Sequence, residues 1–212
     1  MSTATTTAVT ATTTHFDAAA RDWDQRPMSQ QMAAIAPRLL AAMPLAATDR
    51  VLDFGAGTGL LAAQIAPLVA QVTALDTSAA MLQVLTDKGY ANITPLQGDI
   101  FALAPTALGP FDAIVSAMAL HHVADTAALL RALAALLRPG GRVALVDLYA
   151  EDGSFHGDNA AKGVHHLGFA PEALQALAEQ AGLQDVAFAE ILQVQHKNGR
   201  SYPLFLMTAH KP

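Results

Sequence analysis

The sequence predicts an α/β protein built on a mainly parallel sheet with helices on both faces. Three observations predict it. Short apolar runs alternate with segments of helical period between Arg50 and Tyr149, the pattern of right-handed βαβ units. Those runs are almost continuously apolar, as in strands covered on both faces. The last two runs flank Asn198-Gly199, a strong short hairpin signal, so the sheet is expected to finish with an antiparallel pair. A length of 212 residues suits one domain, and no repeat recurs at a fixed period.

Each element has its own signal. Met28, Met32, Ile35, Leu39 and Met43 recur at helical spacing, although Pro37 is expected to kink or split that helix. Residues 50–54 read as a buried strand that ends in a glycine-rich turn. A helix is expected over 60–69, a strand over 71–75, a helix over 78–88 closed by Gly89, and a strand over 93–96. Residues 111–117 read as a fourth strand. Residues 126–137 read as a helix stopped by Pro139-Gly140-Gly141, and 142–149 as a fifth strand. Residues 150–170 carry Gly, Asp, Asn and three histidines and read as a loop insertion over one edge. Pro171 suits the first turn of a helix over 171–180. Strands over 186–194 and 202–210 complete the sheet.

Composition excludes several classes. Hydrophobic residues make up 52% and charged residues 14%, too apolar for a disordered chain. No run approaches the ~18 apolar residues that would span a bilayer, and much of the apolar count is alanine. No membrane association is expected. Without cysteine there is no disulfide, thiolate metal site or cysteine nucleophile. The 12 basic residues against 18 acidic ones disfavour nucleic acid as a partner, because phosphate recognition uses a basic face. Residues 1–14 are almost all Thr, Ala and Ser. They resemble neither a secretory signal nor an arginine-rich transit peptide, so a disordered tail and a cytoplasmic protein are expected.

The informative segment runs from Val51 to Gly59, with Asp53, Gly55, Ala56, Gly57, Thr58 and Gly59 after the apolar start. A strand ends, glycines turn the chain, and a helix begins. Glycines there allow close backbone approach to a ligand and expose N–H groups. A dinucleotide fingerprint would read G-x-G-x-x-G/A, but Leu60 occupies the third position and Gly59 comes one residue early. The lysine of a phosphate-binding loop is absent. An acid two residues before the turn suits a positively charged ligand better than a pyrophosphate. Asp76 closes the second strand, where an acid is placed for ribose hydroxyls; its plainer role would be a helix cap, which Ser78 can also fill. Asp99 follows the third strand, within reach of an adenine amino group. Three acids at the carboxyl ends of three consecutive strands would line one crevice.

With these residues in view, the chain resembles the class I S-adenosylmethionine-dependent methyltransferases from about Phe16 to Lys211. Val51–Gly59, Asp76, Gly98-Asp99-Ile100, Phe111–Val123 and Leu136–Arg142 look like successive motifs of that family. The resemblance implies a Rossmann-like, doubly wound seven-stranded sheet in the order 3-2-1-4-5-7-6, with strand 7 antiparallel. It implies S-adenosyl-L-methionine as cofactor. Asp53 and the Gly55–Gly59 turn would face its methionine part, and Asp76 with Thr77 its ribose. Asp99 and Ile100 would flank adenine, and Ala117 and Met118 would lie beside the sulfonium. The domain would span residues 15–212, with 15–45 as an N-terminal lid and helix in which Trp23, the single tryptophan, covers the cofactor.

The chemistry implied is direct attack of a nucleophile on the sulfonium methyl, in which the protein aligns the partners and excludes water. A base helps where the nucleophile must lose a proton. His121 is the best single candidate because it follows the fourth strand directly, ahead of His122, His165 and His166. No metal is expected at His121-His122, on the premise that adjacent strand residues point to opposite faces and no carboxylates accompany them. Ser116-Ala117-Met118-Ala119 stands where exocyclic-amine methyltransferases carry an Asn/Asp-Pro-Pro-aromatic motif. With the acidic charge, that favours a small-molecule acceptor. The competing readings are a noncatalytic S-adenosylmethionine-binding module and a nicotinamide oxidoreductase, the latter disfavoured by Leu60.

Overall fold

The computed structural model describes residues 15–104 and 108–212, so the reading of residues 1–14 as a tail lies outside the described residues. The strands are β1 (Arg50–Phe54), β2 (Gln71–Asp76), β3 (Ile93–Gln97), β4 (Phe111–Ala117), β5 (Leu137–Leu148), β6 (Gln184–Gln195) and β7 (Ser201–His210). They form one sheet in the order β3-β2-β1-β4-β5-β7-β6. β1 to β5 pair in parallel, whereas β7 is antiparallel to both β5 and β6. The expected order and the antiparallel last pair are both present. The order in which strands are added reverses between β3 and β4, from one side of β1 to the other, and a crevice opens at the carboxyl ends of β1 and β4.

The helices are α1 (Pro27–Met32), α2 (Ile35–Ala42), α3 (Leu60–Ile65), α4 (Ala79–Asp87), α5 (Thr126–Leu136) and α6 (Pro171–Gln180). Successive strand residues point to opposite faces, and two cores result. Val51, Val72, Ala113 and Val115 meet Ile35, Leu39, Ile65 and Leu85 on one face. Leu52, Leu75, Ile114 and Leu145 meet Leu129, Leu133, Leu174 and Phe205 on the other. Fully burying one such side chain is worth roughly 1.5–3 kcal/mol. The apolar composition is therefore used by strands covered on both faces.

Three elements differ from expectation. The helix expected over Met28–Met43 forms as α1 and α2, separated at Ala33-Ala34. Pro37 causes the break from a distance, because its ring clashes with the carbonyl of the fourth residue before it, which is Ala33. Pro37 itself sits in the first turn of α2. β5 begins at Leu137, not Arg142. Phe111 pairs with Leu137 while Ala113 pairs with Arg142, so Arg138-Pro139-Gly140-Gly141 bulges out of the ladder. The helix expected over 60–69 ends at Ile65 and continues as a 3-10 turn over Ala66–Leu68, where Pro67 cannot continue the backbone ladder. The 150–170 segment is irregular, tied to the end of β5, inside the sheet rather than at its edge, by a bridge between Tyr149 and Phe169.

Candidate active site

A cavity of about 1160 Å³ opens at the carboxyl ends of β1, β2, β3 and β4. Drug-sized ligands occupy pockets of roughly 300–1000 Å³, so there is room here for a cofactor and a second molecule. Asp53, Asp76 and Asp99 all line it, as do Gly55, Ala56, Gly57, Thr77, Ile100, Ala117, Met118, Trp23 and His121. Gly59 does not. It caps α3 at φ +80, and an added Cβ there would lie 2.3 Å from a Leu85 methyl carbon. Its role is to let α3 start against α4, not to approach a ligand.

The glycine turn differs from an anion cradle. Gly55 and Ala56 N–H groups both donate to the Leu75 carbonyl, at 2.9 and 3.1 Å. Gly57 N–H donates to Asp76 Oδ2 at 2.8 Å. The N–H groups that the sequence led us to expect at the ligand are thus spent on the end of β2. Asp76 Oδ1 also accepts from Ser78 N–H at 2.8 Å, and Ser78 rather than Asp76 caps α4 through Met81 N–H. Burial, first, holds the Asp76 carboxyl above the usual carboxylate range, against the pull of these backbone donors.

Asp53 is 1% exposed. Among the described residues its Oδ2 has no hydrogen-bond partner. Burial, followed by the nearby charge of Asp76 and against a backbone hydrogen bond from Ala62, pushes its pKa up to about 8. An unpaired buried carboxyl costs free energy unless something binds it. This one faces the cavity and suits an ammonium or sulfonium ligand. The residues present therefore fit the methionine part of S-adenosylmethionine. At the third strand, Asp99 accepts the Phe101 N–H at 3.0 Å, so the simple turn role is filled while the side chain still lines the cavity. Phe101, half exposed at the same wall, was not singled out from sequence. Met118 ends β4 with φ +60, a conformation that costs a non-glycine residue roughly 1–2 kcal/mol. Its N–H donates to Val146 O at 2.8 Å, which holds the turn.

The other end of the cavity is built from histidines. Leu120-His121-His122 forms a 3-10 turn, so the two rings do not alternate as they would in a strand; their centroids are 4.1 Å apart. His156, from the 150–170 segment, meets them: its Nε2 lies 3.0 Å from His121 Nε2. His121 Nδ1 lies 2.7 Å from Asp147 Oδ1, and Asp147 is fully buried in β5. His122 Nδ1 lies 3.1 Å from the Gly163 carbonyl. The segment is pinned further by His165 and His166 N–H groups, which donate to the His121 carbonyl at 2.9 and 3.2 Å. Burial, then the His121 ring, pushes the His122 pKa down to about 3; the same two causes, with His122 added, hold His156 far below the usual range. Asp147 and His156 were both missed from sequence. An acid inside an apolar strand was the available signal for Asp147.

The N-terminal segment lines the cavity through His15, Phe16, Trp23 and Arg26. Asp24 accepts from Thr58 Oγ1 at 2.5 Å and pairs with Lys88 Nζ at 2.6 Å. Asp17 accepts from Ser78 Oγ at 2.5 Å. Phe16 bridges Trp23 and His122, edge-on to both. Arg26 lies over the Trp23 ring.

Residues 23–187 match the family model described as a methyltransferase domain. The chain belongs to the class I methyltransferase family. Among its relatives, an uncharacterized methyltransferase of Schizosaccharomyces pombe is 34% identical over 151 residues, covering 64% of this chain and 53% of that protein. A ubiquinone biosynthesis O-methyltransferase of Xanthomonas axonopodis is 35% identical over 150 residues, covering 64% and 62%. The chain spans about half the length of most of the curated relatives it matches. A putative methyltransferase of Haloferax volcanii, solved in complex with the Trm112 activator, superposes with a TM-score of 0.78 at 22% identity, covering 93% of this chain and 97% of that one. That likeness concerns the fold.

Proposed function

We propose that this methyltransferase domain transfers the methyl group of S-adenosylmethionine directly to a small-molecule acceptor. The observation that carries the reading is the buried Asp53 Oδ2, without a partner among the described residues, beside a glycine turn whose N–H groups are already bonded. That combination favours a positively charged ligand over a pyrophosphate. Asp53 takes the methionine ammonium side, Asp76 and Thr77 the ribose, Asp99 and Ile100 the adenine. Gly55 to Gly57 form the floor, where an added Cβ at Gly55 would lie 2.3 Å from that of Ala119. Ala117 and Met118 border the sulfonium, and Trp23 covers the cofactor from the N-terminal segment.

The acceptor then lies at the histidine end, and His121 is the catalytic residue that meets its nucleophilic atom. The contact of His121 Nδ1 with Asp147 fixes the ring and leaves the lone pair on Nε2, which lies beside His156 Nε2 at the cavity wall. Bound S-adenosylmethionine would supply an electrophilic methyl group and a sulfur that takes up the bond's electron pair, while His121 would accept the proton that the acceptor nucleophile loses. Arg26, Lys162 and Lys197 also line the cavity. Burial and the charges of Lys197 and Arg26 hold the Lys162 amine below its usual range. Three cations gathered at the acceptor end favour an acceptor with an acidic group, and they do not form the extended basic face that nucleic acid needs.

Calorimetry with S-adenosylmethionine and NADH, followed by assay of acidic and neutral hydroxyl and thiol acceptors, tests this reading. We expect S-adenosylmethionine to bind, NADH not to bind, and S-adenosylhomocysteine to form with an acidic small acceptor. Binding without turnover on any acceptor would favour the noncatalytic module. Binding of NADH alone would overturn the assignment.

A further inference from the structure

The geometry points to a divalent transition-metal site formed by His121, His122 and His156 at the acceptor end of the cavity. One ring nitrogen from each of the three lies within 4.8 Å of the other two. The Nε2 atoms of His121 and His156 are only 3.0 Å apart. Around a tetrahedral zinc with bonds of about 2.0–2.1 Å, imidazole nitrogens stand roughly 3.3 Å from one another, so small ring rotations would bring the three onto one ion.

The surrounding bonds select the ligating atoms. His121 Nδ1 is committed to Asp147 and His122 Nδ1 to the Gly163 carbonyl. Both contacts place the proton on Nδ1 and the lone pair on Nε2. A carboxylate or carbonyl behind a ligating imidazole is the usual support of a metal-bound histidine. Asp147 also accepts the Leu148 N–H at 2.7 Å, which fixes its orientation. Three imidazoles without a thiolate or carboxylate ligand suit zinc or cobalt and not magnesium or calcium. All three rings line the cavity, so the fourth position opens toward the acceptor, as in sites where a metal activates an oxygen or sulfur atom.

This inference rests on the methyltransferase reading for its use and refines the role of His121. An acceptor hydroxyl or thiol that binds the ion releases its proton to solvent. The resulting anion attacks the methyl carbon as the carbon–sulfur bond breaks. The methylated oxygen or sulfur, no longer anionic, then leaves the ion, and S-adenosylhomocysteine departs with the electron pair of the broken bond on its sulfur.

Untagged full-length chain, stripped with a chelator, should take up close to one Co(II) per chain and show the intense visible absorption of a tetrahedral site. Zn(II) should displace it. His156→Gln, on the irregular segment, should weaken Co(II) binding at least tenfold and change that spectrum, with the S-adenosylmethionine dissociation constant unchanged. Asp147→Asn should weaken it by about 10–100-fold through the supporting bond. Uptake below a tenth of an ion per chain, or unchanged uptake in His156→Gln, would overturn the site. Stoichiometric metal uptake with no S-adenosylmethionine binding would uphold the site and sink the methyltransferase reading instead.

Discussion

Asp53 shows how a single residue couples stability to ligand binding. Its carboxyl, which ordinarily titrates near 3.8, is pushed up to about 8 by burial and by Asp76. The folded state therefore holds the proton more tightly than the unfolded chain. The stability that this proton contributes is fully present below about pH 4 and is lost as pH rises toward about 8. Asp53→Asn removes the dependence. We expect the variant to melt higher than the wild type at pH 8, with a flatter profile between pH 4 and 8, while its S-adenosylmethionine dissociation constant rises at least tenfold. A cationic ligand should also draw the proton off. Calorimetry at pH 7 in buffers of different ionisation enthalpy should then show proton release approaching one per chain. Zero release, or an Asn variant that binds as well as wild type, would remove Asp53 from the site. At this scale the sequence is highly readable: Asp53, Asp76 and Asp99 end short apolar runs, and the strands deliver them to one crevice. Asp147 carries the same signal, an acid in an apolar run, but its meaning depends on a partner 26 residues away in sequence.

At the scale of elements, agreement with sequence follows the range of the interactions. Strands β1 to β4 and helix α6 are set by local apolar period and short-range breakers, and their expected bounds differ little from those observed. The helix before β1 splits because a proline acts four residues upstream of itself. The histidine cluster was invisible for two reasons. His121 and His122 lie on a 3-10 turn, which turns both rings to one side, and His156 arrives from an irregular segment with no periodic signal. The N-terminal segment is intermediate. Trp23 led to the expectation of a lid; it lines the cavity, and the segment is fastened by Asp17 and Asp24, which clasp Ser78, Thr58 and Lys88. Such partly exposed contacts contribute little to global stability, about 0–1 kcal/mol for the ion pair. They hold the segment across the cofactor side of the cavity. Trp23→Ala and Asp24→Ala should therefore raise the cofactor dissociation constant by roughly tenfold or more while lowering the apo Tm by only about 1–3 °C. Equal loss of apo stability with unchanged binding would make Trp23 a packing residue and nothing more.

Across the whole molecule, the cavity joins parts that are far apart in the chain. One wall comes from the ends of β1 to β3, the opposite wall from the turn after β4 and the 150–170 segment, and the front from residues before α1. The double-sided sheet supplies the rigid base: its two cores leave the strand ends free to carry polar groups that would be costly inside. A ligand that bridges these walls binds only the folded state, so its free energy adds to stability. At one hundred times its dissociation constant, S-adenosylhomocysteine should stabilise the fold by about 2.7 kcal/mol, a rise in Tm of roughly 5–10 °C for a chain of this size. NADH at the same concentration should leave the Tm unchanged, because the Gly55–Gly57 N–H groups that a pyrophosphate needs are bonded to Leu75 and Asp76. Hydrogen exchange locates the effect. Protection should increase in residues 15–26, 53–59 and 76–78, which surround the cofactor, and stay constant in β6 and β7 at the far edge of the sheet. Uniform protection throughout the chain would mean that the ligand acts on global stability alone. Protection confined to the acceptor end would place it in the wrong half of the cavity.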